Sequence, residues 1–430
     1  MAKTREEAQL PKSRWRYIGP GLVVAATGVG AGDLVATSVA GERFGYTLLW
    51  AAVLGCVIKI SLAEATGRWH LSTGTTIFEG WRSLGPWTTW YFGVYVVIWG
   101  FVYGGVAMSA SGLPLEALWE GGPSYQTWGL LCGLLGLVCV WFNRYAVIEK
   151  IMMALILVMF VVVVTIAVRV TPDLGDMGAG LWPTLPDDSI FYTLGLMGGV
   201  GGSITLAAYG FWVNAKGWAT PRWMSVMRLD NRVAYVMTGI FVISMMVVGA
   251  ELLHAGSDAI SEGDQGLLDI GNVLEQRFDA VTSDLFLIGF FATAFTSVIG
   301  VWHGVSLLFT AFVARLRADR EGRGTASETG ARALAEGTPE RTWPFRAYLL
   351  WLTFPPMILV YQDRPVELTL TYGVLGAVFM PFLAITLLWL LNSDRAPREW
   401  RNGPVSNVML VGAAVLFLVV CVHEIQDLPW

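Results

Sequence analysis

The segment Thr27-Gly28-Val29-Gly30-Ala31-Gly32-Asp33 places a carboxylate and three alternate glycines inside an otherwise apolar run. An acid within an apolar span is costly, so Asp33 is a candidate to ligate a metal ion, carry a proton or face another buried charge. A plainer role is also open: its oxygens can cap free N–H groups in the helical turn that follows. A second tract, Gly198-Gly199-Val200-Gly201-Gly202-Ser203, interrupts another apolar run and is followed by Thr205 and Tyr209. Glycine costs about 1 kcal/mol relative to alanine in a helix interior, so each tract predicts a local unwinding. Unwound backbone at membrane depth persists only against protein or a water-filled cavity. Gly28, Gly30, Gly32, Gly201 and Gly202 would then present backbone groups to a ligand, beside Asp33 and the Thr205 hydroxyl. Tyr209, Trp302 and Phe379 would wall a larger cavity. Close helix packing through small residues is the competing explanation for either tract taken alone.

Lys59 and Glu64 are the charged residues of another apolar run, and His303 lies within a later one. Five residues apart, Lys59 and Glu64 point about 100–140° away from each other around a helix and pair poorly. Glu64 is set to meet Arg68 one turn on. Lys59 either snorkels to the nearer surface or turns inward as a fixed cation. In the second case it would oppose a bare dication at low dielectric. His303, next to Trp302, suits a packed, hydrogen-bonded role or proton transfer.

The elements that must position these residues are membrane spans. Apolar residues make up 55% of the 430 and charged residues 14%, against roughly 25% charged in a soluble domain. With 20 Trp, 21 Phe and 13 Tyr, this surface cannot be hidden in a water-soluble globule. A net charge of −5 without a basic tract excludes a nucleic-acid partner. The four cysteines all fall in apolar runs and read as small buried hydrophobes.

About 20 apolar residues suffice to span a bilayer. Such runs occur at 18–39, 45–66, 90–113, 127–143, 147–168, 191–214, 233–252, 285–313, 345–361, 369–391 and 405–423, eleven in all. Basic residues gather in cytoplasmic loops. With the N-terminus inside, all of the 28 except Arg43, Arg169, Arg277, Arg364 and the intramembrane Lys59 fall on the cytoplasmic side. This predicts a plasma-membrane protein with its N-terminus in the cytoplasm and its C-terminus outside. The outer loops are acidic, with Asp173, Asp176, Asp187 and Asp188 in one and Glu262, Asp264, Asp269, Glu275 and Asp279 in another. They read as solvated loops or as an antechamber that concentrates cations. The inner loop 316–344 is polar and reads as a linker.

The first glycine tract runs from inside to outside and the second, five spans later, from outside to inside. Broken helices at matching places in two inverted five-helix halves predict a secondary transporter with a midplane site. The expected layout is a cytoplasmic segment 1–17, a first repeat 18–170, an outer loop 171–190, a second repeat 191–391, and an eleventh helix with the C-terminus over 392–430. No Ser/His/Asp arrangement, phosphate-cradling loop or Cys/His zinc spacing is present. The chain is therefore expected to be neither an enzyme nor a nucleotide-driven pump, and to need no cofactor. Its expected partners are a small ion or solute, protons as a candidate coupling ion, and the lipid bilayer.

The stretch Gly19 to Trp50, GPGLVVAATGVGAGDLVATSVAGERFGYTLLW, resembles the opening of the Nramp family of proton-coupled divalent-metal transporters. The likeness continues at Arg68, at Thr73-Gly74, in the eighth run and at Met380-Pro381-Phe382. The resemblance implies an all-α membrane protein of the LeuT-type fold, two inverted five-helix repeats plus an eleventh helix. The family's metal residues are largely replaced. Its Asp-Pro-Gly-Asn break reads Gly30-Ala31-Gly32-Asp33, which puts Asp33 where the amide belongs. Its Met-Pro-His run is matched by Thr205-Leu206-Ala207, and its glutamine in the tenth span by Phe379. Thioether ligands select softer transition metals, whereas oxygen alone suits hard cations.

Three readings follow, in this order. The first is a transporter of a hard divalent cation such as Mg²⁺, which keeps several waters and wants oxygen ligands. The second is an ion- or proton-coupled carrier of a small organic solute, an amino acid or a carboxylate, held by free N–H groups at the breaks. The third is a membrane receptor or scaffold that no longer transports.

Overall fold

The computed structural model describes residues 18–119, 121–199, 202–254, 265–321, 339–362 and 365–426, and within them every regular element is helical. Pro20 opens α1 (Pro20–Gly28), where a missing N–H is harmless. After Val29 and Gly30 the chain resumes as α2 (Ala31–Phe44). Then come α3 (Leu49–Thr73), α4 (Ile77–Leu84), α5 (Pro86–Leu118), α6 (Tyr125–Phe142), α7 (Tyr145–Arg169) and α8 (Leu174–Ala179). The second half begins with α9 (Ile190–Gly199) and α10 (Thr205–Ala215), followed by α11 (Met224–Leu252), α12 (Gln265–Arg277) and α13 (Ala280–Arg320). It closes with α14 (Trp343–Thr353), α15 (Met357–Val360), α16 (Pro365–Asn392) and α17 (Pro404–Gln426).

Among the described residues six helices, α3, α5, α6, α7, α11 and α13, are long and apolar enough to cross a membrane unbroken. Three of the remaining apolar runs are interrupted. The first unwinding is narrower than the glycines suggested, because α1 keeps its last bond, Val29 N to Ala25 O at 2.8 Å, and Leu34 N already bonds Gly30 O at 3.3 Å. Gly28 and Gly32 are therefore helical, and only Val29 and Gly30 are not. Likewise Gly198 and Gly199 belong to α9, and Gly201 lies outside the described residues. A third interruption, which the glycine count does not reveal, separates α14 from α15 at Phe354–Pro356. Two consecutive prolines there withdraw two backbone donors.

Helix α13 is the axis of the bundle. Its 41 residues extend about 60 Å at 1.5 Å per residue, and it packs against α1, α5, α6, α7, α10 and α14. Two acids of the acidic loops are spent on capping. Asp173 accepts the N–H groups of Gly175 and Asp176 at the start of α8, and Asp279 accepts that of Thr282 at the start of α13. Between α2 and α11, Gly41 leaves no room for a Cβ beside Met246, and Gly249 none beside Ser38. This lets the second half of the broken first span lie directly on the spine of α11.

Candidate functional site

The two interruptions meet. Gly202 has φ +86°, and a Cβ there would lie 2.8 Å from Gly28 Cα and 2.5 Å from Thr205 Oγ1. Glycine is required twice over, by the left-handed backbone and by the close approach. Carbonyls at the end of α1 that lose their helical partners are served by α13. Ser297 Oγ lies 3.2 Å from both Thr27 O and Val29 O, and Thr296 Oγ1 3.3 Å from Ala26 O. On the α10 side, the Ser203 and Thr205 hydroxyls are buried and have no hydrogen-bond partner among the described residues. The place where the breaks cross is thus furnished with oxygen, partly satisfied and partly open.

Lys59 enters the same place from α3. It is wholly buried, and its Nζ donates to the Gly202 carbonyl at 2.5 Å. The ammonium also lies 5.2 Å from the centre of the Phe417 ring on α17. Burying an ammonium costs several kcal/mol. An unwound carbonyl and an aromatic face offset part of that cost. Of the two orientations open to Lys59 in the sequence, the structure takes the inward one, and the side chain does not snorkel.

Asp33 is the third residue of α2, in the turn that restarts the helix, and its side chain lies outside what the structure describes. The other expected site residues are engaged elsewhere. Phe379 stacks on Tyr95 at 5.0 Å and meets Trp81 edge-on, in an aromatic cluster of α4, α5 and α16. Trp302 donates to Thr353 Oγ1 at 2.9 Å. Glu64 pairs with Arg68 at 3.0 Å and with Arg228 at 2.9 Å. Arg68 in turn holds Trp400 O, Asn402 and Ser406 ahead of and within α17. Glu64 is therefore a structural clamp at the arginine-rich end.

Tyr209 also faces that end. Its hydroxyl donates to Asp230 Oδ2 at 3.0 Å, so it braces the start of α1 instead of walling the breaks. Gly19-Pro20-Gly21 presents two N–H groups around a residue that has none. The two Asp230 oxygens take one each, at 2.8 Å for Gly19 and 2.6 Å for Gly21. A carboxylate at a helix N-terminus also gains from the positive end of the dipole. Beside it Glu149 pairs with Lys216 at 2.5 Å, tying α7 to the end of α10.

His303 is fully buried. The Trp212 indole only donates, so His303 Nδ1, at 3.0 Å, accepts. His303 Nε2 lies 3.5 Å from Glu340. Protonating Nδ1 would forfeit the Trp212 bond, which favours the packed role over proton transfer. Burial tends to raise Glu340, but the His303 ring, and beyond it Arg144, outweigh this and hold the acid below its ordinary 4.5. An acid depressed by folding stabilises the folded state above its ordinary value and loses that contribution as pH falls through the folded one. Glu340→Gln is accordingly expected to flatten the acid limb: its Tm should drop less than the parent's on acidification below pH 4.5.

Asp230, the Thr296-Ser297 pair, Glu340 and Phe417 are the residues that sequence reasoning missed. The adjacent hydroxyls of Thr296 and Ser297 inside an apolar run were a usable signal, and so was Asp230 just ahead of the run 233–252. Phe417 is one apolar residue among many and carries none. No three His, Cys, Asp or Glu side chains converge as a metal cluster among the described residues.

The family model described as natural resistance-associated macrophage protein-like, Nramp, matches residues 21–426. Among solved structures, a manganese transporter of Eremococcus coleocola superposes with a TM-score of 0.76 at 15% identity, covering 100% of this chain and 93% of that one. The same transporter in complex with an aromatic bis-isothiourea substituted compound gives 0.74 at 15% identity, with 100% and 93% covered. MHP1, a nucleobase-cation-symport-1 family transporter with bromovinylhydantoin bound, gives 0.54 at 13% identity over 95% and 92%. At these identities the likeness establishes the fold, which is the LeuT-type arrangement.

Proposed function

The chain belongs to the Nramp family, a family of transporters and not of enzymes, and from this premise we propose that it carries a hard divalent metal cation, Mg²⁺-like, through the crossing of its two helix breaks. The protein is a multi-pass membrane protein. In the proposal the repeats 18–170 and 191–391 rock about that crossing, with the N-terminus cytoplasmic, the C-terminus outside and protons as the coupling ion. The observation that carries the reading is the pair of buried hydroxyls without partners among the described residues, Ser203 and Thr205, in the break whose Gly202 approaches the end of α1, where Ser297 meets the Val29 carbonyl. Hard cations take oxygen ligands and retain water. The carboxylate is assigned to Asp33.

A specific observation favours a second reading, a small organic solute bearing a carboxylate. The Lys59 ammonium sits at the crossing, close to the positive N-terminal end of α10. A dication about 6 Å from it would be repelled by about 5 kcal/mol at an effective dielectric near 20, which Asp33 would have to offset.

A thermal-shift panel in detergent separates the two, with Mg²⁺, Mn²⁺ and Ca²⁺ against amino acids and small carboxylates. A ligand at 100 times its Kd stabilises the folded protein by about 2.7 kcal/mol. Stabilisation by dications supports the metal reading; stabilisation by organic acids alone replaces it with the second. Asp33→Ala is expected to reduce proteoliposome uptake to background while the protein stays monodisperse. Undiminished uptake would remove Asp33 from the site.

A further inference from the structure

We propose that Lys59 is a tethered cation that occupies the vacant site and is displaced by the transported ion, allowing the carrier to return unloaded. The inference rests on the transport reading above and assigns Lys59 a step within it. Its basis is position. The ammonium bonds the carbonyl of Gly202, the left-handed residue that touches Gly28 of the other break. Lys59 is therefore seated where the end of α1 meets the second break, beside the Ser203 and Thr205 hydroxyls, which have no partner among the described residues.

An ammonium and a metal ion compete for the same carbonyl oxygen, and at low dielectric their repulsion disfavours joint occupancy. The converse also holds. A cluster of carbonyl and hydroxyl oxygens left without a cation in an apolar surround is costly, and that cost would fall on the empty carrier. Lys59 removes it when the ion leaves. The side chain is suited to the exchange, because its head is compact and its four-carbon stem flexible. The Phe417 face is its second seat: the ammonium already lies 5.2 Å from the ring centre while it bonds Gly202 O, and the ring belongs to a helix that packs against both α3 and α9. Once an ion takes the carbonyl, the ring remains to hold the ammonium.

Only the return of the empty carrier needs Lys59, and this separates two assays. The probe is radiolabelled Mn²⁺, which accepts the same oxygen ligands as Mg²⁺, and the protein is the full chain in proteoliposomes. Exchange is measured with Mn²⁺ on both sides, and net uptake with Mn²⁺ outside only. Lys59→Met should retain exchange within about threefold, lose net uptake by about tenfold or more, and bind Mn²⁺ several-fold more tightly because the internal competitor is gone. Equal loss in both assays from a monodisperse variant, or full net uptake, overturns the proposal. Should Lys59→Met fail to fold, Phe417→Leu keeps the charge and removes the second seat. It should weaken Mn²⁺ binding several-fold, and an unchanged half-saturation overturns the proposal. Wild-type protein that moves neither Mn²⁺ nor Mg²⁺ in either assay defeats the metal-transport reading itself, and the inference with it.

Discussion

Gly202→Ala is expected to abolish transport and to destabilise the protein. Holding an L-residue in the left-handed region costs roughly 1–2 kcal/mol. The new Cβ would also meet Gly28 Cα at 2.8 Å, where the neighbour is backbone and cannot swing aside. Overpacking of that kind adds about 1–3 kcal/mol. The breaks would have to separate by a few tenths of an ångström, taking the Gly202 carbonyl away from Lys59 and the hydroxyls away from α1. Gly217→Ala is the control. Gly217 has φ +83° but nothing within 4 Å of its Cβ position, so it should carry the backbone strain alone and keep full uptake. Tm and proteoliposome uptake measured on both variants test this. If Gly202→Ala transports like Gly217→Ala, the crossing of the breaks is not the site.

The second large effect is expected at Asp230. Its carboxylate holds Gly19 N, Gly21 N and the Tyr209 hydroxyl, and it is fully buried. Asp230→Ala leaves the Gly19 and Gly21 N–H groups without their acceptor, each costing about 1–3 kcal/mol when buried and unrelieved by water, while the Tyr209 hydroxyl keeps only Met227 O at 3.3 Å. A loss on the order of 3–4 kcal/mol is expected, and with it the attachment of α1 to α10 and α11 at the arginine-rich end. Tyr209→Phe removes one of the three bonds and should cost only about 1 kcal/mol. Denaturation of the two variants in mild detergent gives the comparison, and a cysteine introduced near residue 19 should become accessible to a thiol reagent in Asp230→Ala. Equal, small losses in both variants would mean that Asp230 is not what secures the start of α1.

Much of the fold was legible in the chain because lipid imposes a length and a polarity on each span. The eleven apolar runs all carry helix, and both glycine tracts mark interruptions. Glu64 pairs with Arg68 as helical spacing predicts. The aromatic assignments fared differently. Tyr209 and Phe379 fall on the right helices, but their faces are set by neighbours far away in sequence, Asp230 for one and the α5 aromatics for the other. Periodicity along one helix says nothing about which neighbour a given face meets.

What the sequence determined alone was whatever depends on local composition: a membrane protein, its helical runs, and two glycine-marked breaks. The tertiary structure decided how those breaks touch, Gly202 against Gly28, and which side chains reach the junction. It turned Lys59 inward to a carbonyl 143 residues away and brought Ser297 to α1 from 270 residues along the chain. The physical reason is desolvation: a polar group buried among apolar spans must find a partner, and only packing determines which ones lie within hydrogen-bonding distance.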